Sequence, residues 1–343
     1  MKALKEKYLR PGRKITDQFV LATGLSVLIM VAAEIILPIG GLLLGSFERI
    51  LGGNHDAAAF LRDYFDFISI WIGLFLVVII YFSIGFTFNL SAYNWDGLSP
   101  TREFWGWENY NRLFHDKVFW KCLSNTVIYF IITFVVQNVL GFLFAAILHS
   151  DVKFATLHKC LIFIPTIIAP ATMAPVFRLL FSPQGMLQSL FDKLHLPITV
   201  DWLSNPRTAL FVLMSVAIWE FTGMSFILYF AAMSQIDREI LEAARIDGAG
   251  NMRVILSMVV PHCRGTTISL AMLGVIGALK TFEIPYLITT GGPNHATEFL
   301  GTYIYRQGIR NAHLGYAAAL SVTLLVLAVI GAFLTNRLNA EEG

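Results

Sequence analysis

The chain has 343 residues, of which 56% are hydrophobic and only 14% charged, and its mean hydropathy is +0.65. Soluble domains carry about 25% charged residues, so the composition excludes a soluble globular protein and indicates an integral membrane protein. The net charge of +2 lacks the concentrated basic face expected of a nucleic-acid-binding protein. Three cysteines, Cys122, Cys160 and Cys263, are scattered in or beside apolar segments. They read as packing residues, with neither a disulfide framework nor metal-ligand spacing.

Residues 1–14 are basic, with Lys2, Lys5, Lys7, Arg10, Arg13 and Lys14 against Glu6. An apolar segment follows from Phe19 to Phe47, interrupted by Glu34 and by Pro38, Gly40 and Gly41. A cleaved signal peptide has an apolar region of only about 7–15 residues, so this segment reads as a retained anchor. A polar stretch, 48–66, leads to six further apolar stretches near 67–90, 121–148, 160–181, 208–233, 266–289 and 315–336. Each is long enough to cross a hydrocarbon core as a helix, which takes about 20 residues. A helix satisfies its own backbone hydrogen bonds in lipid. Aromatic residues such as Tyr93, Trp95, Trp120 and Trp202 sit near the ends, as interfacial anchors do. The expected fold class is an all-α integral membrane protein.

Between the fourth and fifth of these stretches lies a polar segment, Ile236 to Gly265. It carries Asp237, Glu239, Glu242 and Asp247 together with Arg238, Arg245, Arg253 and Arg264. Asp237 is suited to cap a first helix. Gly248 stands where that helix would end in a left-handed turn, which glycine adopts without a Cβ penalty. Asn251 is suited to cap a second short helix, and Pro261 to stop it. The spacing predicts helix, tight turn, helix.

Glu242-Ala243-Ala244, then Gly248, then Pro261 resembles the signature loop of binding-protein-dependent ABC transporter permeases, in the sugar-importing branch that includes maltose- and glycerol-phosphate-type components. Other blocks agree in order: Leu90–Gly97, Gly106–Phe114, Asp201–Pro206, Thr290–Glu298, Thr302–Arg306 and Gly315–Ala319. The resemblance covers about residues 67–338. It departs at Ile80-Tyr81-Phe82, where relatives commonly carry Tyr-Pro, and at Val260-Pro261, where they carry Leu-Pro.

The resemblance implies a six-helix permease core over 67–338, preceded by an added segment, 1–66, and followed by a short tail, 339–343. It makes 236–264 a cytoplasmic coupling loop, with Glu242, Ala243, Ala244, Asp247 and Gly248 meeting an ATPase. The implied partners are a second permease subunit in a heterodimer, two copies of a cytoplasmic ABC ATPase, an extracytoplasmic solute-binding protein, a sugar-like substrate and membrane lipid. The implied location is a bacterial-type cytoplasmic membrane. With the coupling loop inside, alternation places 91–118, 182–207 and 290–314 outside. A full span at 19–47 would then put the basic N-terminus outside, against the positive-inside rule. That segment either spans in this sense or, broken at Pro38, Gly40 and Gly41, is re-entrant or interfacial.

No ATP-binding loop is present. Gly274–Thr281 has Leu279 where a Walker loop needs glycine directly before the lysine. The eight histidines are dispersed, so no metal site and no cofactor are expected. Ionisable residues inside spans carry more information, since a charge at mid-bilayer costs at least about 2.5–3.5 kcal/mol. Glu34, Glu220, Lys280 and Glu283 qualify. Lys280 and Glu283, three apart, either pair on one helix face or line a polar translocation cavity with Glu220, Trp219, Thr222 and Ser225. Asn125, Gln137 and Asn138 are weaker candidates for the same path and can instead join helices. A different class of function, a carrier driven by an ion gradient, would use Glu220, Lys280 and Glu283 as a proton relay.

Overall fold

The computed structural model describes residues 73, 75, 77–149, 152–196 and 201–340. The basic tail, the apolar segment 19–47 with Glu34, and the polar stretch 48–66 lie outside the described residues. The chain divides into two compact units, one of residues up to 109 together with 311–319, the other of 110–310 together with the residues from 320 onward.

In the first unit, helix α1 (Val77–Ser91) runs into a two-residue antiparallel ladder, Tyr93–Asn94 against Glu103–Phe104. The chain between the strands turns on Asp96, which accepts hydrogen bonds from the Leu98 and Ser99 amides and the Ser99 hydroxyl at 2.8, 2.7 and 2.7 Å. Gly97 follows with φ +80°. Buried Asn109 ties the unit together, its amide donating to the Ser91 and Tyr93 carbonyls at 2.8 and 2.9 Å. Helix α2 (Glu108–His115) begins here, within the stretch 91–118 that the expected alternation puts outside.

The second unit is built on α3 (Lys117–His149) and α7 (Ala209–Met233). The two helices pack so closely that a Cβ on Gly141 would lie 2.6 Å from the Ser225 Cβ. Small residues at such a crossing are what helices without a hydrophobic drive between them use to approach. One buried cluster joins Tyr129, Met173, Ala217, Ile284 and Phe299. A second joins Ala145, Phe226, Tyr229, Met233 and Val259.

Two expected straight spans are broken. The stretch near 160–181 is α4 (Ala155–Ile167) and α5 (Pro170–Leu180), bent by 95°. Pro170 is the cause: a residue before proline is driven out of the helical region, and Ala169 is extended at φ −62°, ψ 135°. The stretch near 266–289 is α10 (Arg264–Leu279) and α11 (Glu283–Ile288), separated by Lys280–Phe282. Pro285 accounts for the restart. In one continuous helix it would be interior and clash with the carbonyl four residues back, whereas a helix beginning at Glu283 holds it in the first turn, where proline is tolerated. After a short helix α6 (Met186–Lys193), α7 and the last helix, α13 (Leu314–Ala340), run unbroken, as α3 does.

The polar segment folds as α8 (Arg238–Ile246), a turn at Gly248 with φ +82°, and α9 (Asn251–His262). Two details differ from expectation. Asn251 is the first helical residue, the cap position falling on Gly250 with no side-chain cap bond. Pro261 does not stop the helix. A wide π turn over Ile255–Val259 precedes it, absorbing the missing N–H and the ring. The helix ends at Cys263, and α10 leaves at 59°.

Candidate functional site

Two regions carry the candidate residues. The first is the polar knob. Its inner side is fastened by Ile236 and Leu241, which pack on the cluster of Ala145, Phe226 and Tyr229. Glu242, Ala243 and Asp247 are exposed, as is Gly248, while Ala244 is buried. Only one of the two alanines is therefore accessible at the surface. The turn is closed by the Ala249 amide donating to the Ala244 carbonyl at 3.0 Å. A Cβ on Gly248 would meet nothing within 4 Å, so glycine is required there for its backbone conformation and not for space. Ile246 is 86% exposed and Met252 69%. A sequence reading that looked for charge passed over both, although apolar side chains at the tip of a polar knob are what a partner would cover.

The second region is a cavity of about 420 Å³ walled by α3, α7, α10 and the break between α10 and α11. Ser225, Lys280 and Glu283 line it, together with Gln137 and Asn138. Trp219, Glu220 and Thr222, expected beside them, do not. Trp219 is half-exposed and meets the Phe177 ring edge-on at 5.2 Å. Thr222 donates back to the Ile218 carbonyl within its own helix. Glu220 is buried, with Oε2 lacking a hydrogen-bond partner among the described residues, while its backbone carbonyl accepts from Thr166 at 2.7 Å.

Lys280 and Glu283 do not share a helix face, because the helix ends between them. Among the described residues neither side chain has an ion-pair or hydrogen-bond partner, and both are exposed to the cavity. A lysine and a glutamate side chain thus face one space with no salt bridge between them. Gln137 donates to the Ala217 carbonyl at 2.9 Å, and Asn138 accepts from the Tyr229 hydroxyl at 2.9 Å. Both therefore hold α3 to α7 as well as lining the cavity. Asn125 points elsewhere, its amide donating from α3 to carbonyls of the loop after α11. Tyr129, Thr133 and Thr281, which sequence reasoning did not single out, also line the space, beside the rings of Phe130, Phe134 and Phe282. Pro285 was the signal that could have pointed to Thr281 and Phe282. The arrangement offers charged and neutral hydrogen-bonding groups beside aromatic faces. Among the described residues no group of histidine, cysteine and carboxylate side chains could hold a metal.

The family described as "Binding-protein-dependent transport system inner membrane component" matches residues 118–341. A probable ABC transporter permease protein, YurN of Bacillus subtilis, is 32% identical over 242 residues, 69% of this chain and 83% of the relative. The lactose transport system permease protein LacF of Rhizobium radiobacter is 30% identical over 250 residues, 71% of this chain and 83% of the relative. Among solved structures, a chain from the crystal structure of a bacterial alginate ABC transporter with an alginate pentasaccharide-bound periplasmic protein shares the fold. It has a TM-score of 0.69 at 20% identity, covering 82% of this chain and 95% of that one. The chain therefore belongs to the binding-protein-dependent ABC permeases, as the inner-membrane, multi-pass permease component of an ABC importer and not its ATPase.

Proposed function

We propose that the chain carries a sugar or sugar-like solute across the cytoplasmic membrane by alternating access, driven by a separate ATPase. The cavity between α3, α7 and the broken span carries this reading. Ser225, Gln137, Lys280 and Glu283 present donors and acceptors for hydroxyl groups, and the aromatic rings beside them suit the apolar face of a sugar ring. Its volume of about 420 Å³ falls in the range of small-ligand sites, about 300–1,000 Å³. The relation to a lactose permease supports the substrate class. Family membership ties the energy source to ATP and removes the reason for a proton relay through Glu220, Lys280 and Glu283.

On this reading the permease domain is 67–338, with 1–66 an addition to it, and the knob at 236–264 is the coupling element. Glu242, Ala243, Asp247 and Gly248 meet the ATPase, with Ala244 fixing the helix from behind. A second permease subunit, two ATPase copies and an extracytoplasmic binding protein complete the assembly, the last supported by the periplasmic protein in the alginate structure. The test has two parts. Tagged protein from gently solubilised membranes should bring down an ABC ATPase, and replacing Glu242 and Gly248 together should lose it. Membrane vesicles should take up labelled lactose or a related oligosaccharide only with ATP. Uptake that survives ATP depletion and collapses with a protonophore would refute the proposal.

A further inference from the structure

The chain leaving the cavity wall through α11 enters a loop, Thr289–Glu298, held by a buried carboxylate. Glu298 is fully buried, and its Oε2 is 2.9 Å from Arg306 Nη2 and 2.9 Å from His295 Nδ1. The same Arg306 nitrogen donates to the Thr290 carbonyl at 2.8 Å, so one guanidinium grips both ends of the loop. Gly291 is required by this grip, since a Cβ there would lie 2.7 Å from the Glu298 carboxylate and 2.9 Å from Arg306. From α3, the buried Asn125 amide donates to the Ala296 and Glu298 carbonyls at 3.1 and 2.9 Å.

The next residues bear on the cavity. Phe299 meets the Tyr129 ring edge-on at 5.2 Å. In helix α12 (Leu300–Tyr305), Gly301 is so near the wall that a Cβ would lie 3.0 Å from the Thr281 carbonyl and 3.4 Å from the Phe282 side chain. Tyr305 packs on the rings of Phe282 and Tyr286 at 5.7 and 5.1 Å. Thr281 and Phe282 are the break itself. The Thr281 amide reaches only three residues back, to the Ala278 carbonyl at 3.3 Å, and the Phe282 carbonyl accepts the Tyr286 amide at 3.0 Å, so no continuous helical ladder crosses the wall here.

We propose that Glu298 and Arg306 form a latch that positions the Thr281–Phe282 segment of the cavity wall through Phe299, Gly301 and Tyr305. They are positioning residues, outside the cavity and acting on its shape. That this wall borders a solute path rests on the function proposed above; the latch does not.

The experiment reads the wall directly. Thr281→Cys is introduced into the full chain in native membrane vesicles, with exposed Cys160 replaced by serine, and its alkylation by N-ethylmaleimide is timed. Ser269→Cys, exposed on α10 ahead of the break, reports general loosening. Glu298→Gln and Arg306→Gln should each change the rate at 281 at least about fivefold, with no change at 269, and the double variant should equal either single one, as residues acting as one unit do. An unchanged rate at 281, equal changes at both reporters, or multiplied effects in the double variant would overturn the latch. Should the latch variants fail to insert, Gly301→Ala pushes on the same wall with the latch intact. It should change the rate at 281, and an unchanged rate also overturns the proposal. Protection of the 281 reporter by lactose is a separate readout, whose absence counts against the solute path alone.

Discussion

Replacing Gly141 by alanine tests how the two central helices meet. A Cβ at this position would lie 2.6 Å from the Ser225 Cβ, 2.8 Å from the Phe226 amide nitrogen and 2.9 Å from the Ser225 carbonyl carbon. Carbon atoms in ordinary contact sit about 3.5–4.0 Å apart, so the helices must separate by roughly 1 Å at the crossing. The atoms in the way are backbone and Cβ of α7, which no rotamer change can move. Overpacking of this kind costs about 1–3 kcal/mol, while alanine returns at most about 1 kcal/mol of helix propensity. The net expectation is a loss of up to about 2 kcal/mol, and more for leucine. Gly277→Ala is the control: it sits in α10 with nothing within 4 Å of the added methyl, so it should be neutral or stabilising. The assay is the fraction of detergent-solubilised protein that stays monodisperse after graded heating. A Gly141→Ala midpoint equal to that of Gly277→Ala would refute the packing argument.

At Gly248, a β-branched residue such as valine must adopt φ near +82°, at roughly 1–2 kcal/mol. Since no neighbour obstructs the side chain, Gly248→Val should insert normally yet lose coupled ATP hydrolysis, and Gly248→Asn should retain more of it. Asn125→Ala leaves the buried Glu298 carbonyl without its donor, and should cost about 1–3 kcal/mol of heat stability, measured by the same heating assay. The Asp96 turn predicts an acid dependence. Hydrogen bonds from the Ser99 amide, the Ser99 hydroxyl and the Leu98 amide hold its carboxyl at about 2, below the ordinary 3.8. A depressed carboxyl contributes stability that is fully present above 3.8 and lost as pH falls through about 2. Asp96→Asn should therefore melt earlier than the parent at neutral pH, with the difference vanishing as pH approaches 2.

The spans were legible because about 20 apolar residues in lipid leave a chain little choice but helix, and α3, α7 and α13 follow the apolar stretches closely. Gly248 was legible for a local reason, a glycine at the end of a polar helix. What hydropathy averages away is punctuation. Pro170 and Pro285 break two spans, yet neither interrupts the apolar run that marks a span. The pairing of Lys280 with Glu283 was argued from a three-residue helical spacing that Pro285 had already removed. Trp219, Glu220 and Thr222 failed to reach the cavity for another reason. An apolar helix has no polar face to reveal which side looks inward, and that choice is made by neighbours distant in sequence, such as Phe177 against Trp219.

The two broken spans give the cavity a property that side-chain chemistry does not describe. Pro170 opens one helix at the cavity, and Lys280 to Glu283 close one and open another there. Where a helix starts or stops, its terminal N–H and C=O groups are released from the repeating ladder. Those groups are carried by every residue type apart from the N–H that proline lacks. A solute held through them would be indifferent to much of the surrounding sequence, so relatives could exchange lining side chains to change their cargo while the main chain keeps a constant grip. Alanine scanning of such a path would leave that grip unseen, whereas exchanging a peptide bond for an ester at Phe282 or Glu283 would expose it.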